Sequence, residues 1–262
     1  MDSNKSSGAA VPWRVVWITG ASSGIGRALA LSLARDGARV AVSARSADKL
    51  AELAASHPNI KAFPLDVRDR GAAAHVLAEI EGALGPVDLA VLNAGVWYPM
   101  TSVTFDAARI EETMAVNFMG LVNPLAALLP AMRSRGAGHI ALVSSVAGYL
   151  GLPRGVAYGP SKAAATTLAE SLAADAGRFG IKVSVINPGF VDTPMTKVNE
   201  FPMPWIMTVD EAVARIRKGL AAGRFEIAFP WQMVVFLKLA KRMPYWLLFG
   251  VFRRMLPPGG PD

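Results

Sequence analysis

Tyr158 and Lys162 lie four residues apart in the stretch AYGPSKAAA, residues 157–165. Residues four apart share one face of a helix, and Pro160 is tolerated only in a first turn, so the pattern predicts a helix beginning around Tyr158 or Gly159. An ammonium beside a phenol is expected to lower the phenol's pKa from about 10 toward the range of a working general acid or base. The pattern is also typical of a lysine stem lying along a half-buried tyrosine.

Two further polar residues lie where chemistry could take place. Ser145 closes the apolar run HIALVSS, and its hydroxyl can donate a hydrogen bond to a substrate oxygen on which charge develops. Asn117 lies within a helical pattern although asparagine is a poor helix former; taken alone, it also fits a surface polar residue. Ser145 as a hydrolase nucleophile is disfavoured, because this serine does not lie in a G-x-S-x-G elbow and no histidine follows it in the sequence.

The turn after the first apolar run, in ITGASSGIGRALA, is rich in glycine. Its glycines have the spacing G-x-x-x-G-x-G and are Gly20, Gly24 and Gly26. Glycines allow a tight turn and a close backbone approach to a pyrophosphate, whose charge meets free N–H groups at the positive end of a helix. The pattern favours a dinucleotide site, and a glycine-rich turn capped by Ser22 or Ser23 is the alternative.

The end of the second apolar run indicates which dinucleotide. A carboxylate at position 44 would bind the ribose hydroxyls of NAD, but the residue there is Ala44. Arg45 follows directly, and its planar guanidinium suits a 2′-phosphate. Arg45 alone would fit a solvated arginine at a helix start, but together with the missing carboxylate it favours NADP.

Short runs that are apolar on both faces alternate with helix-length segments, as expected for one large α/β domain. The predicted strands are 14–19, 39–44, 60–65, 87–93, 139–145, 182–187 and 225–229. The predicted helices are 24–36, 46–56, 69–84, 105–135, 161–178 and 208–222. This alternation predicts a doubly wound parallel sheet in three α/β/α layers, in which ligands bind beyond the carboxyl ends of the strands.

Composition narrows the function classes. The chain has 262 residues, no cysteine and a formal net charge of +7. The lack of cysteine excludes a disulfide framework and a thiol nucleophile, and the three scattered histidines suggest no metal site. Residues 224–262 hold six Lys or Arg against two acids, so the basic excess lies largely in the tail. We therefore expect no nucleic-acid binding, which needs a basic face on a recognisable binding fold.

Seven motifs in order resemble the short-chain dehydrogenase/reductase family over about residues 12–230. They are TGASSGIG (19–26), LDV (65–67), NAG (93–95), Asn117 in VNFMG, SSVAG (144–148), YGPSK (158–162) and NPGFVDTP (187–194). The resemblance implies a Rossmann-type fold and hydride transfer between a nicotinamide cofactor and a carbonyl or alcohol carbon. It implies that Tyr158 moves the proton.

The resemblance also implies roles for individual residues. The implied catalytic set is Asn117, Ser145, Tyr158 and Lys162. The implied cofactor contacts are Gly20, Ser22, Ser23, Gly24, Ile25, Gly26, Arg45, Asp66, Val67, Asn93, Ala94, Gly95, Tyr158, Lys162, Pro188, Gly189, Val191 and Thr193. Among these, Asp66 is implied to contact adenine, Thr193 to lie near the nicotinamide carboxamide, and Ser22 and Arg45 to bind the 2′-phosphate. The amide of Asn117 is implied to help hold a water in a proton relay toward Lys162.

Regions outside the motifs suggest the substrate side. Residues 1–12 are expected to be a disordered leader, and 13–230 a single domain with a substrate lid at about 194–207. Apolar residues of the lid suit a hydrophobic pocket, although they also fit simple packing against the body. They are Met195, Phe201, Met203, Trp205, Ile206 and Met207. We expect a hydrophobic carbonyl or alcohol as the substrate.

Residues 231–262 form an apolar and basic C-terminal extension. Its apolar runs, interrupted by Pro244, are too short to span a bilayer but suit a helix lying at a membrane surface over 231–256. An extra lid over the pocket, or a subunit contact in a homodimer or homotetramer, is the alternative. The sequence thus predicts an NADP(H)-dependent oxidoreductase in the cytoplasm. Contact of residues 231–256 with a membrane surface is one of the options for the extension. The other hypothesis is a cofactor-binding or peripheral-membrane scaffold with little turnover.

Overall fold

The computed structural model of the protein describes residues 12–255, and for residues 254 and 255 only the backbone. One sheet contains all seven strands, each parallel to its neighbours, in the order β3-β2-β1-β4-β5-β6-β7. The strands are β1 (Val15–Thr19), β2 (Arg39–Ser43), β3 (Ile60–Ala62), β4 (Leu89–Leu92), β5 (Gly138–Val143), β6 (Ile181–Pro188) and β7 (Glu226–Phe229). The predicted doubly wound parallel sheet is confirmed.

Nine α-helices lie among the described residues. They are α1 (Gly24–Arg35), α2 (Ala47–Ala55), α3 (Arg70–Leu84), α4 (Ala107–Met114), α5 (Gly120–Arg135), α6 (Tyr158–Ala176), α7 (Val209–Ala221), α8 (Trp231–Ala240) and α9 (Tyr245–Met255). Helices α1, α2 and α7 bury their apolar residues against one face of the sheet, and α3, α5 and α6 against the other. The central strands β1, β4 and β5 are buried on both faces, which explains their continuous apolar runs, whereas Lys61 is exposed in the edge strand β3.

Local sequence explains where α6, the helix that contains Tyr158 and Lys162, begins. Helix α6 begins at Tyr158, as Pro160 in its first turn predicts, rather than at residue 161. The predicted helix over 105–135 forms as α4 and α5 joined by a π-helical turn, Ala115–Met119, which contains Asn117. Such turns are frequent at functional sites.

The segment 107–135 is long and apolar enough to cross a membrane by length and composition alone. Its apolar side, however, packs in the core: Leu121, Leu125 and Leu128 are buried together with residues of β4 and β5. This packing is that of a core helix in an α/β domain, and such a helix can be as long and as apolar as a membrane-spanning one.

The C-terminal extension packs on the body of the domain. Met233 and Leu237 of α8 are buried with Val146 and Tyr149, while Leu248 and Phe252 of α9 pack near Leu150 and Leu152. Pro244 separates the two helices, as the sequence predicts. The expected leader falls outside the described residues except for Pro12, and the last residues of the tail, 256–262, are outside them as well.

Candidate active site

The glycine-rich turn lies at the carboxyl end of β1, next to the point where strand order reverses between β1 and β4. Gly20 has φ +67°, and a Cβ on it would lie 2.7 Å from the Cα of Ala94, so only glycine fits this turn without strain. A Cβ on Gly26 would meet the Nδ2 of Asn93 at 2.6 Å. Ser23 precedes α1 without a side-chain capping hydrogen bond, so capping does not explain this turn.

This turn borders a cavity of about 260 Å³ that follows the carboxyl ends of the strands. Of the predicted cofactor residues, all except Gly26 line this cavity. Gly26 lies behind it, where its lack of a side chain lets α1 approach Gly20 and Asn93. The amide of Asn93 donates to the carbonyl oxygens of Thr19 and Gly20, at 3.1 Å each, and so holds the turn. A glycine-lined wall at the carboxyl ends of the strands is what the pyrophosphate of a dinucleotide needs.

Two basic residues stand at the end of this cavity near β2 and β3. Arg45 lines the cavity and is exposed, and it makes no ion pair within residues 12–255. The Asp66 carboxylate is instead bound by Arg68, with Nη2 2.6 Å from Oδ2. The hydrogen bond from Arg68, aided by the nearby charge of Arg45, lowers the pKa of Asp66. Our sequence reasoning missed Arg68, which follows LDV directly.

The catalytic candidates come from the ends of β5 and α6. Ser145 follows β5 and lines the cavity, while the hydroxyl of the preceding Ser144 donates to the carbonyl oxygen of Lys162 at 2.6 Å. Ser144 therefore fastens α6 to the strand end, whereas the hydroxyl of Ser145 donates to the carbonyl oxygen of Pro188, another residue of the cavity wall, at 3.2 Å. Nζ of Lys162 is buried, donates to the carbonyl oxygen of Val143 at 2.9 Å, and lies 5.5 Å from the centre of the Tyr158 ring.

The pKa of Tyr158 shifts in the direction opposite to our expectation. Burial raises it to about 12, and the Ser145 hydroxyl acts in the opposite direction without cancelling the effect. Burial also lowers the pKa of Lys162 to about 8. Loss of hydration disfavours the charged form of both groups, and it is the largest cause of both pKa shifts. The sequence shows their spacing but not that Lys162 is buried and that Tyr158 is partly buried in the cavity wall.

Asn117 is fully buried in the π-helical turn and its side chain is engaged on both sides. Its Oδ1 accepts from the Val96 backbone N–H at 2.7 Å, and its Nδ2 donates to the Val96 carbonyl at 3.0 Å and to the Ser161 hydroxyl at 3.0 Å. These bonds join the segment after β4 to the start of α6. Asn117 does not line the cofactor cavity, and the implied role of its amide in holding a water stays a prediction.

A second, larger cavity of about 480 Å³ adjoins the first. Five residues line both cavities: Ser145, Tyr158, Gly189, Met195 and Thr196. The second cavity is largely apolar. The predicted lid supplies Met195, Phe201 and Trp205, whereas Met203, Ile206 and Met207 of the same loop do not line it. Trp97 also lines it and donates from Nε1 to Oδ1 of Asn199 in the lid at 2.8 Å.

The second cavity contains residues that sequence reasoning missed or left open. The segment 152–155, between β5 and α6, forms part of its wall, and no motif singles this segment out. The C-terminal extension contributes Met233, Phe236 and Leu237 from α8 and Phe252 from α9. The extension therefore forms part of the cavity wall, which agrees with the extra-lid alternative, while subunit contact and membrane contact stay predictions. Its Lys238 binds Glu226 of β7 at 2.5 Å, which ties α8 to the edge of the sheet.

Comparisons with known proteins agree with this geometry. Residues 14–202 match the family model described as short chain dehydrogenase. An uncharacterized oxidoreductase of Myxococcus xanthus is 38% identical over 251 residues, covering 94% of this chain and 99% of its own. An uncharacterized oxidoreductase of Mycobacterium tuberculosis is 34% identical over 227 residues, covering 82% and 88%.

The solved structures support the same assignment. A short-chain dehydrogenase from Streptomyces avermitilis superposes with a TM-score of 0.78 at 28% identity, covering 93% of this chain and 94% of its own. The family model, the relatives named oxidoreductases and this superposition agree with the glycine-lined cavity and with the predicted sheet. This chain is therefore an NAD(P)-dependent oxidoreductase that belongs to the short-chain dehydrogenase family.

Proposed function

We propose that this protein uses NADP(H) to interconvert a carbonyl and an alcohol on a hydrophobic small molecule, with Tyr158 as the general acid and base. The observation that carries the proposal is the position of Ser145 and Tyr158 at the junction of a glycine-lined cavity and an apolar one. A reacting carbon in the apolar cavity would there be next to both a cofactor and a proton donor. A bound nicotinamide cofactor supplies or accepts the hydride.

The chain's own residues handle the proton and the substrate oxygen. Because burial raises the pKa of Tyr158, its phenol is protonated at neutral pH and can donate a proton to the oxygen of a carbonyl being reduced. The Ser145 hydroxyl, which donates to the Pro188 carbonyl oxygen in this structure, can rotate to donate its hydrogen bond to the same oxygen as negative charge develops there. In oxidation both steps run in reverse, and Tyr158 accepts the proton.

Lys162 and Asn117 contribute to this chemistry by binding the cofactor and by positioning the catalytic segments. Nζ of Lys162 has three N–H donors, and Val143 is the single acceptor recorded for them within residues 12–255, so two donors are available for ribose hydroxyls. As an ammonium it also stabilises negative charge on Tyr158. Asn117 is a positioning residue, because its three hydrogen bonds set the segment after β4 against α6.

The preference for NADP(H) over NAD(H) rests on the residues after β2. Ala44 cannot accept hydrogen bonds from ribose hydroxyls through its side chain, whereas the exposed guanidinium of Arg45 lines the same end of the cavity. Ser22 lines the cavity as well and offers a hydroxyl. A phosphate at this end would bind to Arg45 through charge-assisted hydrogen bonds.

The test is Tyr158→Phe, which keeps the ring and removes the hydroxyl. Turnover should fall by on the order of 10²-fold or more, the contribution of a general acid, while NADPH binding measured by calorimetry stays close to wild type. A screen of aldehydes and ketones that follows NADPH absorbance supplies the substrate. Near-normal turnover by the variant would contradict the proposal. Tyr98→Phe, which removes a phenol hydroxyl bonded to Glu112 outside both cavities, is the matched control.

A second observation concerns the surface of the C-terminal extension, for which we propose contact with anionic membranes. The side of α8 and α9 away from the body exposes large apolar residues: Trp231, Val235, Phe236, Leu239, Met243, Tyr245, Trp246, Leu247 and Phe249. Residues 231–255 contain no Asp or Glu, while Lys241, Arg242 and Arg253 are exposed. Aromatic residues with basic neighbours suit the headgroup region.

This proposal implies a cytoplasmic enzyme that binds reversibly to a membrane surface. Lys238 of α8 is already paired with Glu226, so it adds little to the attraction to anionic headgroups. A homodimer or homotetramer that buries the same apolar residues is the competing arrangement, and co-sedimentation with anionic vesicles separates the two. A scaffold with little turnover is less well supported, because the chain retains Tyr158 and Lys162.

A further inference from the structure

The wall of the apolar cavity contains one charged side chain among its described residues, Arg154. The other residues around this cavity are apolar or uncharged. Arg154 is partly buried, and within residues 12–255 no carboxylate lies within ion-pair distance of it. Its guanidinium carbon lies 5.7 Å from the ring centre of Phe201 in the lid. A guanidinium at the wall of an apolar cavity, with no counter-charge among the described residues, is available to pair with an anionic group of a ligand.

The backbone conformation of Arg154 is unusual and is held in place by a neighbouring segment. Arg154 has φ +63°, in the left-handed region that residues with a Cβ rarely adopt. Its carbonyl oxygen accepts from the N–H of Met100 at 2.9 Å, and Met100 pairs with Gly155 in a short parallel bridge. Within the described chain, Trp205 is the other non-glycine residue at positive φ, and it too lines this cavity. Strained backbone of this kind clusters at ligand-binding sites.

We propose that the substrate is an amphiphile with an apolar body and an anionic group, a carboxylate or a phosphate, that binds Arg154. The proposal rests on the proposed function, because it names the substrate class of that same site. The carbonyl of such a substrate would lie at Ser145 and Tyr158, and its apolar body would contact the lid and α8. Its anionic group would end at Arg154, whose planar fork can bind either anion through two parallel hydrogen bonds.

Binding of unreactive ligands tests the assignment without depending on turnover. Calorimetry with the full-length protein would compare decanoate with decanamide, which has nearly the same shape and no charge, and with decyl phosphate. Wild type should bind at least one of the two anions about 10-fold or more tightly than the amide, as expected for charge-assisted hydrogen bonds. The anion that binds more tightly identifies the group on the substrate.

Substitutions at Arg154 test whether the preference for anionic ligands depends on this residue. Arg154→Gln should remove the preference for the anion and leave decanamide binding unchanged, while Arg154→Lys should restore part of it, because an ammonium keeps the charge but loses the fork. Lys197→Gln is the matched control, since Lys197 is an exposed cation of the lid that does not line the cavity. Equal binding of anions and amide by wild type, binding of none of them, or an unchanged preference in Arg154→Gln would overturn the proposal.

Turnover is a separate readout that tests the proposed function. If no aldehyde or ketone is reduced but decanoate or decyl phosphate binds through Arg154, the proposed reaction fails and the anion site stands. If neutral carbonyls are reduced by wild type and by Arg154→Gln with the same kcat/KM, and anions gain nothing from Arg154, the reaction stands and the anion site fails.

Discussion

The buried ammonium of Lys162 makes a prediction about stability that does not depend on any substrate. Lys162 is 3% exposed, and burial lowers its pKa from 10.5 to about 8. In the unfolded chain the same amine titrates near 10.4. Between these two values the unfolded state binds more protons than the folded state, so stability rises with pH across this window. Below pH 8 both states are protonated, and the folded state carries the full cost of the buried charge.

The size of the effect follows from the two pKa values. Over the range from pH 7 to pH 9.5 the linkage relation gives a gain of about 2 kcal/mol for the folded protein. Lys162→Met keeps the length of the side chain and removes the titrating group. The stability difference between wild type and Lys162→Met should therefore shift in favour of wild type by about 2 kcal/mol as the pH rises.

The assay is urea unfolding of both proteins, without added cofactor, at intervals from pH 7 to pH 9.5. Thermal melting should show the same trend, about 4–8 °C in the difference between the two Tm values for a chain of this size. The upper limit of pH 9.5 keeps tyrosine ionisation in the unfolded chain small. Lys218→Met removes an exposed lysine of α7 and is the control; its difference from wild type should be flat across the range.

Two results would contradict the expected effect of burial on the pKa of Lys162. A wild-type minus Lys162→Met difference that does not change with pH would mean that Lys162 titrates normally, so burial does not control its protonation. A difference that moves in favour of the variant as the pH rises would mean that the folded state holds the proton more tightly than the unfolded chain. In that case attraction to a nearby negative group, with Tyr158 as the candidate, would outweigh burial.

The remaining predictions concern the cofactor and the tail. Arg45→Ala should weaken NADPH binding by about 10-fold or more, for the loss of a charge-assisted contact, and leave NADH binding almost unchanged; tighter binding of NADH than of NADPH by wild type would contradict the assignment. Replacing both Tyr245 and Trp246, which are 74% and 77% exposed, by serine should reduce co-sedimentation with anionic vesicles at low salt. Equal sedimentation of the two proteins, or a loss of self-association instead, would favour a subunit contact.

The sequence predicts the sheet and the cofactor cavity well because both depend on local patterns. A parallel strand covered on both faces is a continuous apolar run, and a turn that approaches another backbone requires glycine, as at Gly20. Most of the motifs lie at the end of a strand, and parallel strands bring their carboxyl ends to one edge of the sheet. Asn117 in the π-helical turn and the Tyr158–Lys162 pair in α6 are the exceptions. Gly26 is predicted to contact the cofactor but does not line the cavity. The glycine pattern alone does not distinguish a glycine of the cavity wall from one that lets a helix pack closely behind it.

The direction of the Tyr158 pKa could not be predicted because it depends on two opposing effects. Spacing on a helix shows that an ammonium is near the phenol, and proximity alone predicts a lowered pKa. How much water surrounds the pair depends on other segments of the chain, such as Val143 of β5, which accepts from Lys162, and Trp97 after β4, whose ring packs edge-on against Tyr158. Hydration lost to these segments dominates, and it moves the pKa values of Tyr158 and Lys162 in opposite directions, each toward the neutral form.

The apolar cavity is the least predictable part of the site because no single segment encodes it. Its wall joins the segment around Arg154, the lid and the C-terminal helices, which meet only in the folded chain. Phe236 lines the cavity and is also 45% exposed, so the surface of the extension continues into the cavity wall. Membrane contact and substrate entry would then involve the same face of the molecule, which fits a substrate with an apolar body and an anionic group better than a fully water-soluble one.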